Sequence, residues 1–221
     1  MTDKLQRTAA PSVEQSVKAQ YATVFCGTDW PRFKRMADAL LREAAFIKTS
    51  DMRFTTSEKL LARNSRKRLL IGVGTELLLK AIYLKSGYAI NKARHDGAPI
   101  QFPFTFQSAK SVPLDGADTF TLAKLIDKIN RVIELPEQQV VFRGLKIAKV
   151  FRNKEGHVVA ASHTFEVANY RDIESSLALL YRQAFDEVLS VRFSLAPREA
   201  AVWRISPPDM AIQRTPARGR P

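Results

Sequence analysis

One cysteine, Cys26, stands in 221 residues, which excludes an internal disulfide and a thiolate metal cluster. Histidine is almost as scarce: His95, His157 and His163 lack both companion cysteines and the i, i+4 spacing of zinc ligands, so no metal and no cofactor is expected. A phosphate-cradling glycine loop is missing too, since the one GxG, Gly72 to Gly74, falls inside a helical pattern. No run of about 18 apolar residues could span a bilayer. The longest candidate, Leu69 to Leu84, is interrupted by Glu76 and Lys80. The stretch Met1 to Gln15 has no apolar core of a secretory signal, which predicts a cytoplasmic protein with no membrane partner.

What the chain has in excess is positive charge. Lysine and arginine number 35 against 22 acidic residues, a net charge of +13. The segment 196–221 accounts for little of it, holding five arginines against Glu199 and Asp209. The surplus therefore belongs to the folded part. A field of that sign draws polyanions, of which nucleic acid is the commonest.

Hydrophobic periodicity divides the chain into a flexible N-terminus at 1–11, a helical domain at 12–195 and a basic, proline-rich flexible tail at 196–221. After weak helical pattern from Ser12 to Phe25, Asp29 reads as an N-cap with Trp30 and Pro31 opening a helix toward Lys48. A second helix starts at Thr56 or Ser57 and reaches Lys85, closed by Ser86-Gly87. Its apolar stripe is expected at Leu69, Leu70, Val73, Leu77, Ala81 and Leu84, with a bend or close packing at Gly72 and Gly74. Residues 88–118 break the period and read as a loop insertion, in which Phe102, Phe104 and Phe106 cover the core or stack bases. Helical pattern resumes at Thr121–Leu135, Glu137–Ala161 and Tyr170–Ser194. The expected fold is all-α, an antiparallel helical bundle of about five helices with a loop insertion.

One segment carries chemistry: Arg152-Asn153-Lys154-Glu155-Gly156-His157. Taking Val140 as zero, a helical wheel puts Val140, Gly144, Ile147, Phe151 and Val158 within about 40° of one another as the buried stripe. Arg152 then falls near +120°, Lys149 near 180°, and Asn153, Lys146 and His157 near −140°, −120° and −100°, all on the arc opposite the core. Metal-free RNA cleavage needs such groups. An imidazole with an ordinary pKa of about 6.5 can take and return the 2′-hydroxyl proton. A guanidinium fork matches phosphate oxygens, and an amide can orient either partner. The products would be a 2′,3′-cyclic phosphate and a 5′-hydroxyl. The bare arginine–histidine spacing arises by chance about once in a chain of this composition, and the polar residue after the arginine makes it roughly tenfold rarer.

This motif resembles the R-x4–6-H motif of the HEPN superfamily (higher eukaryotes and prokaryotes nucleotide-binding), including its polar residue after the arginine. Glu76-Leu77-Leu78-Leu79-Lys80-Ala81 is similar to that family's E-x-L-L-K-A segment, and Thr121-Leu122-Ala123-Lys124-Leu125 to the lead-in of its next helix. The resemblance covers roughly residues 30–194. It implies a helical homodimer whose two motifs meet in one composite, metal-independent RNase site, in toxins or antiviral effectors that are sometimes paired with an antitoxin. It implies Arg152 and His157 as catalytic and Asn153 as supporting. Glu76 and Lys80 carry over as secondary positions, which a surface i, i+4 salt bridge explains equally well.

A second reading stands beside this one: a non-catalytic nucleic-acid-binding or scaffolding bundle, with the motif on a solvated basic face and RNA held through phosphates alone. Lys146 and Lys149, with the run Arg63, Arg66, Lys67 and Arg68, are the residues that would touch RNA backbone. A third reading gives the basic helices to an acidic protein partner. Cys26 is expected to be a small buried residue rather than a nucleophile.

Overall fold

The computed structural model describes residues 12–47, 57–110, 112–155 and 165–194. These form six α-helices and a three-stranded antiparallel sheet: α1 (Val13–Tyr21), α2 (Trp30–Phe46), α3 (Ser57–Lys85), β1 (Asn91–His95), β2 (Ala98–Pro99), β3 (Leu114–Thr119), α4 (Leu122–Lys128), α5 (Gln138–Glu155) and α6 (Val167–Phe185). The molecule is mostly helical, as expected, but it is not all-α.

The sheet replaces the expected loop. Strand order is β2-β1-β3, with β1 pairing antiparallel to both neighbours. Asp96 and Gly97 form the β1–β2 turn, both at positive φ (49° and 78°), as a two-residue hairpin with the strands' own twist requires. Asp-Gly is the sequence signal for such a turn, although the surrounding prolines and phenylalanines mask the strand pattern on either side. Phe102 and Phe104 are buried and Phe106 packs beside them, so these rings cover the core. Tyr83, Phe102 and Phe120 make a column, with centroids 5.1 Å and 4.1 Å apart.

Helix ends follow the local chemistry. Pro31 opens α2 in its first turn, although the Asp29 carboxylate accepts from the Cys26 amide rather than capping the helix. Cys26 itself is exposed, not buried. Helix α6 stops at Phe185, short of the expected Ser194, because Asp186 turns left-handed (φ 57°). The helical pattern expected over Thr121–Leu135 yields only α4 and one 3-10 turn, Ile129–Arg131.

Helix α3 is the centre of the bundle, packed on α2 and on α5, while α6 packs on α5. A helix flanked on several sides cannot have a single apolar stripe. Ile71, Leu78, Leu79, Ile82 and Tyr83 are fully buried, whereas Leu69 is exposed and Leu70, Val73 and Leu77 are only partly covered. The α3–α5 and α5–α6 crossings each turn on a glycine. A Cβ on Gly72 would lie 2.6 Å from the Arg152 backbone nitrogen, and one on Gly144 would lie 2.3 Å from the Asp172 carbonyl oxygen. Only glycine lets these backbones approach so closely. The close packing expected at Gly72 and Gly74 is what the helix uses, with Gly74 set against Leu41.

Candidate active site

Gly144 seats α5 on α6, and this sets the helix's rotation. The buried positions are Val141, Gly144, Leu145, Ala148 and Phe151, so the buried face is turned about 70° from the expected stripe. Val140 and Ile147 fall to its margin. Arg152 therefore does not lie opposite the core. It sits at the edge of the α3 contact, its Cβ over Gly72 and its side chain 43% exposed.

The rotation brings Arg152 to Glu76. Arg152 Nε donates to Glu76 Oε2 at 2.9 Å, and Lys80 Nζ reaches Glu76 Oε1 at 3.0 Å. Glu76 and Lys80 keep only 12% and 11% of their side-chain surface, so their pair is not the expected surface salt bridge but a half-sunken anchor for the guanidinium. Lys80 Nζ also donates to Thr119 Oγ1 at 3.1 Å, tying the cluster to the end of β3. Two cations on one carboxylate leave the group with a net positive charge. Gly72 and Thr119, the seat and the far tether of this cluster, were not assigned to a site from sequence. The i, i+4, i+8 series Gly72, Glu76, Lys80 was the available signal.

Outside this cluster the exposed face of α5 is cationic. Arg143, Lys146, Asn153 and Lys154 are exposed and Lys149 is half-buried. The one acid of the helix, Glu155, turns inward to Arg68. Arg143 faces Asp172 of α6 at 3.8 Å. His157 and Gly156 lie outside the described residues, as does His163.

The basic run of α3 is corrected in part. Arg66 is exposed and pairs with Glu43, and Arg63 is exposed. Lys67 and Arg68 point inward, with 2% and 0% exposure, so neither is available to RNA backbone. Arg68 pairs with Glu155, which also accepts from Ser65, and its guanidinium lies 4.8 Å from the Phe165 ring. Lys67 Nζ donates to the Phe193 carbonyl at 2.7 Å and stands 5.1 Å from the Tyr170 ring. Burial pushes its ammonium down to about 8, partly offset by Glu174. Glu174 in turn accepts from the amides of Phe193 and Ser194. These cations hold the fold because α3 is enclosed where they fall.

Among the described residues no cluster of histidine, cysteine or carboxylates could hold a metal ion, and no helix is long and apolar enough to cross a membrane. Comparison with protein-family models, with curated proteins and with solved structures found no match in any of the three.

Proposed function

We propose that the protein is a metal-independent endoribonuclease, working as a homodimer in toxin or antiviral defence, with an antitoxin or other regulatory protein as its counterpart. In this reading His157 takes the proton of an RNA 2′-hydroxyl and returns it to the leaving 5′-oxygen. Arg152 stabilises the charge gathering on the phosphorane oxygens, and Asn153 orients the phosphate or the imidazole. Lys146 and Lys149 guide the backbone along α5.

The single observation that carries the reading is the anchoring of Arg152 by Glu76 and Lys80 at the edge of a cationic helix face. A phosphate-binding guanidinium gains from being held before substrate arrives, since rotamer freedom is then already spent. One supported by a carboxylate that carries a second cation keeps a positive local field.

The test is incubation of the pure protein with RNA in excess chelator, followed by analysis of the ends. Cyclic-phosphate ends on RNA, intact DNA, and loss of cleavage in both His157→Ala and Arg152→Ala are the expected results. Absence of cleavage, or undiminished cleavage by His157→Ala, rejects the proposal.

The alternative reading is a non-catalytic nucleic-acid-binding or scaffolding bundle, in which the motif cuts nothing and the cations hold RNA through phosphates alone. If Arg152→Ala weakens RNA binding while wild-type protein never cuts RNA, that reading holds instead.

A further inference from the structure

A cleft of about 740 Å³ opens between the sheet and α4, within the range of about 300–1,000 Å³ common for small-molecule sites. It is made by the hairpin that interrupts the helical pattern, and it is separate from the Arg152 cluster. Its floor is apolar: Ile100, Phe102 and Phe120 line it, the two rings belonging to the column that begins at Tyr83. Its rim is charged. Lys92 is matched by Asp118 and Lys128 by Asp127. Arg94 and Lys124 also line the cleft; Arg94 stands outside the salt bridges of the rim, while Lys124 adds to Lys128 in holding the Asp127 carboxyl below its usual range. The third carboxylate, Asp115, accepts the Ala117 amide. Counted together, the rim carries four cations, Lys92, Arg94, Lys124 and Lys128, against three carboxylates, Asp115, Asp118 and Asp127, a net charge of +1 above a floor of aromatic and aliphatic carbon.

We propose that this cleft binds a nucleoside phosphate, its base against the Ile100, Phe102 and Phe120 floor and its phosphate on Arg94 and Lys124. A flat, weakly polar ring system satisfies a floor that offers little hydrogen bonding; since Phe102 and Phe120 are 7% and 8% exposed, the contact is burial of apolar surface rather than stacking on an open ring face. A phosphate satisfies two rim cations better than a carboxylate does, since it offers three acceptor oxygens. The same chemistry has two sources, a free mononucleotide or one nucleotide unit of an RNA strand. The second source has a physical route, because Lys80 joins the Arg152 cluster to Thr119, the residue preceding Phe120. The proposal does not depend on the nuclease reading, as binding needs neither Arg152 nor His157.

The experiment is calorimetric titration of the full chain with AMP, adenosine, and a 2′-O-methyl RNA pentamer that 2′-hydroxyl attack cannot cleave. The same titrations are run on Arg94→Glu/Lys124→Glu, two surface changes whose thermal melting should match wild type. AMP binding that exceeds adenosine binding and falls about tenfold or more in the double variant supports a free nucleotide as ligand. Binding of the pentamer alone, with the same loss, supports a nucleotide unit of RNA. The proposal is overturned if neither ligand binds, if adenosine binds as well as AMP, or if charge reversal at the rim changes nothing. A wild-type protein that binds AMP but never cuts RNA sinks only the nuclease reading.

Discussion

Two arginine–glutamate pairs join α3 to α5, and they run in opposite senses. Arg68 of α3 holds Glu155 of α5, while Arg152 of α5 holds Glu76 of α3. Gly72 lies midway between the two α3 positions and is the point where the helices touch. The chemistry of the pairs is the same but their settings are not. Arg68 and Glu155 are sealed, at 0% and 2% side-chain exposure, whereas Arg152 keeps 43% of its surface. A sealed pair has no spare charge to give a ligand and acts on the fold. The open pair keeps its cation at the surface, where a polyanion can reach it.

The largest expected effect comes from breaking the sealed pair. Arg68→Ala leaves Glu155 buried and uncompensated, a loss of about 3–5 kcal/mol in denaturant unfolding. A loss below about 1 kcal/mol would show that the site takes up water and is not sealed. Next comes the crossing between the pairs: Gly72→Val forces a side chain into the Arg152 backbone and is expected to cost about 1–3 kcal/mol or more, read from urea midpoints.

Breaking the open pair should separate stability from activity. Arg152→Ala is expected to cost about 1 kcal/mol or less, because Glu76 retains Lys80. If the nuclease proposal holds, it should lower RNA cleavage about a hundredfold or more at saturating RNA. Equal damage to stability and activity would erase the distinction between the pairs.

The smallest effect concerns Lys67, beside the sealed pair. Its folded pKa is about 8 against the ordinary lysine value of 10.5. Above pH 8 the folded protein releases this proton while the unfolded chain still binds it, so stability gains with rising pH up to the unfolded value. Wild type should therefore gain on Lys67→Met between pH 7.5 and about 9.5 in urea midpoints. A difference that is constant or shrinks over that range contradicts the assignment.

Much of the helical framework was legible because helix ends are local events. Pro31 opens α2 in its first turn, and Gly87, at φ 81°, stands two residues past Lys85, the last of α3, as the residue types alone dictate. The sheet was legible in principle from Asp96-Gly97 but was outweighed by the prolines around it. For the site, spacing put Arg152 and Asn153 on one outward arc of a helix over Glu137–Ala161, and the family resemblance marked Glu76 and Lys80, but neither brought the two groups together. It also read Lys67 and Arg68 as surface cations, because a charge pattern carries no record of which faces a central helix has covered.

The amino-acid order alone thus determined the positive charge, the punctuation of α2 and α3, and the presence of glycines where helices could meet. Only the tertiary structure decided how far α5 is rotated, and hence that Arg152 meets Glu76 while Glu155 meets Arg68. Rotation is set by which neighbours press on a helix and where they can come closest, here at Gly72 and Gly144. Periodicity along one helix reports that a buried face exists; the helices against it choose its direction.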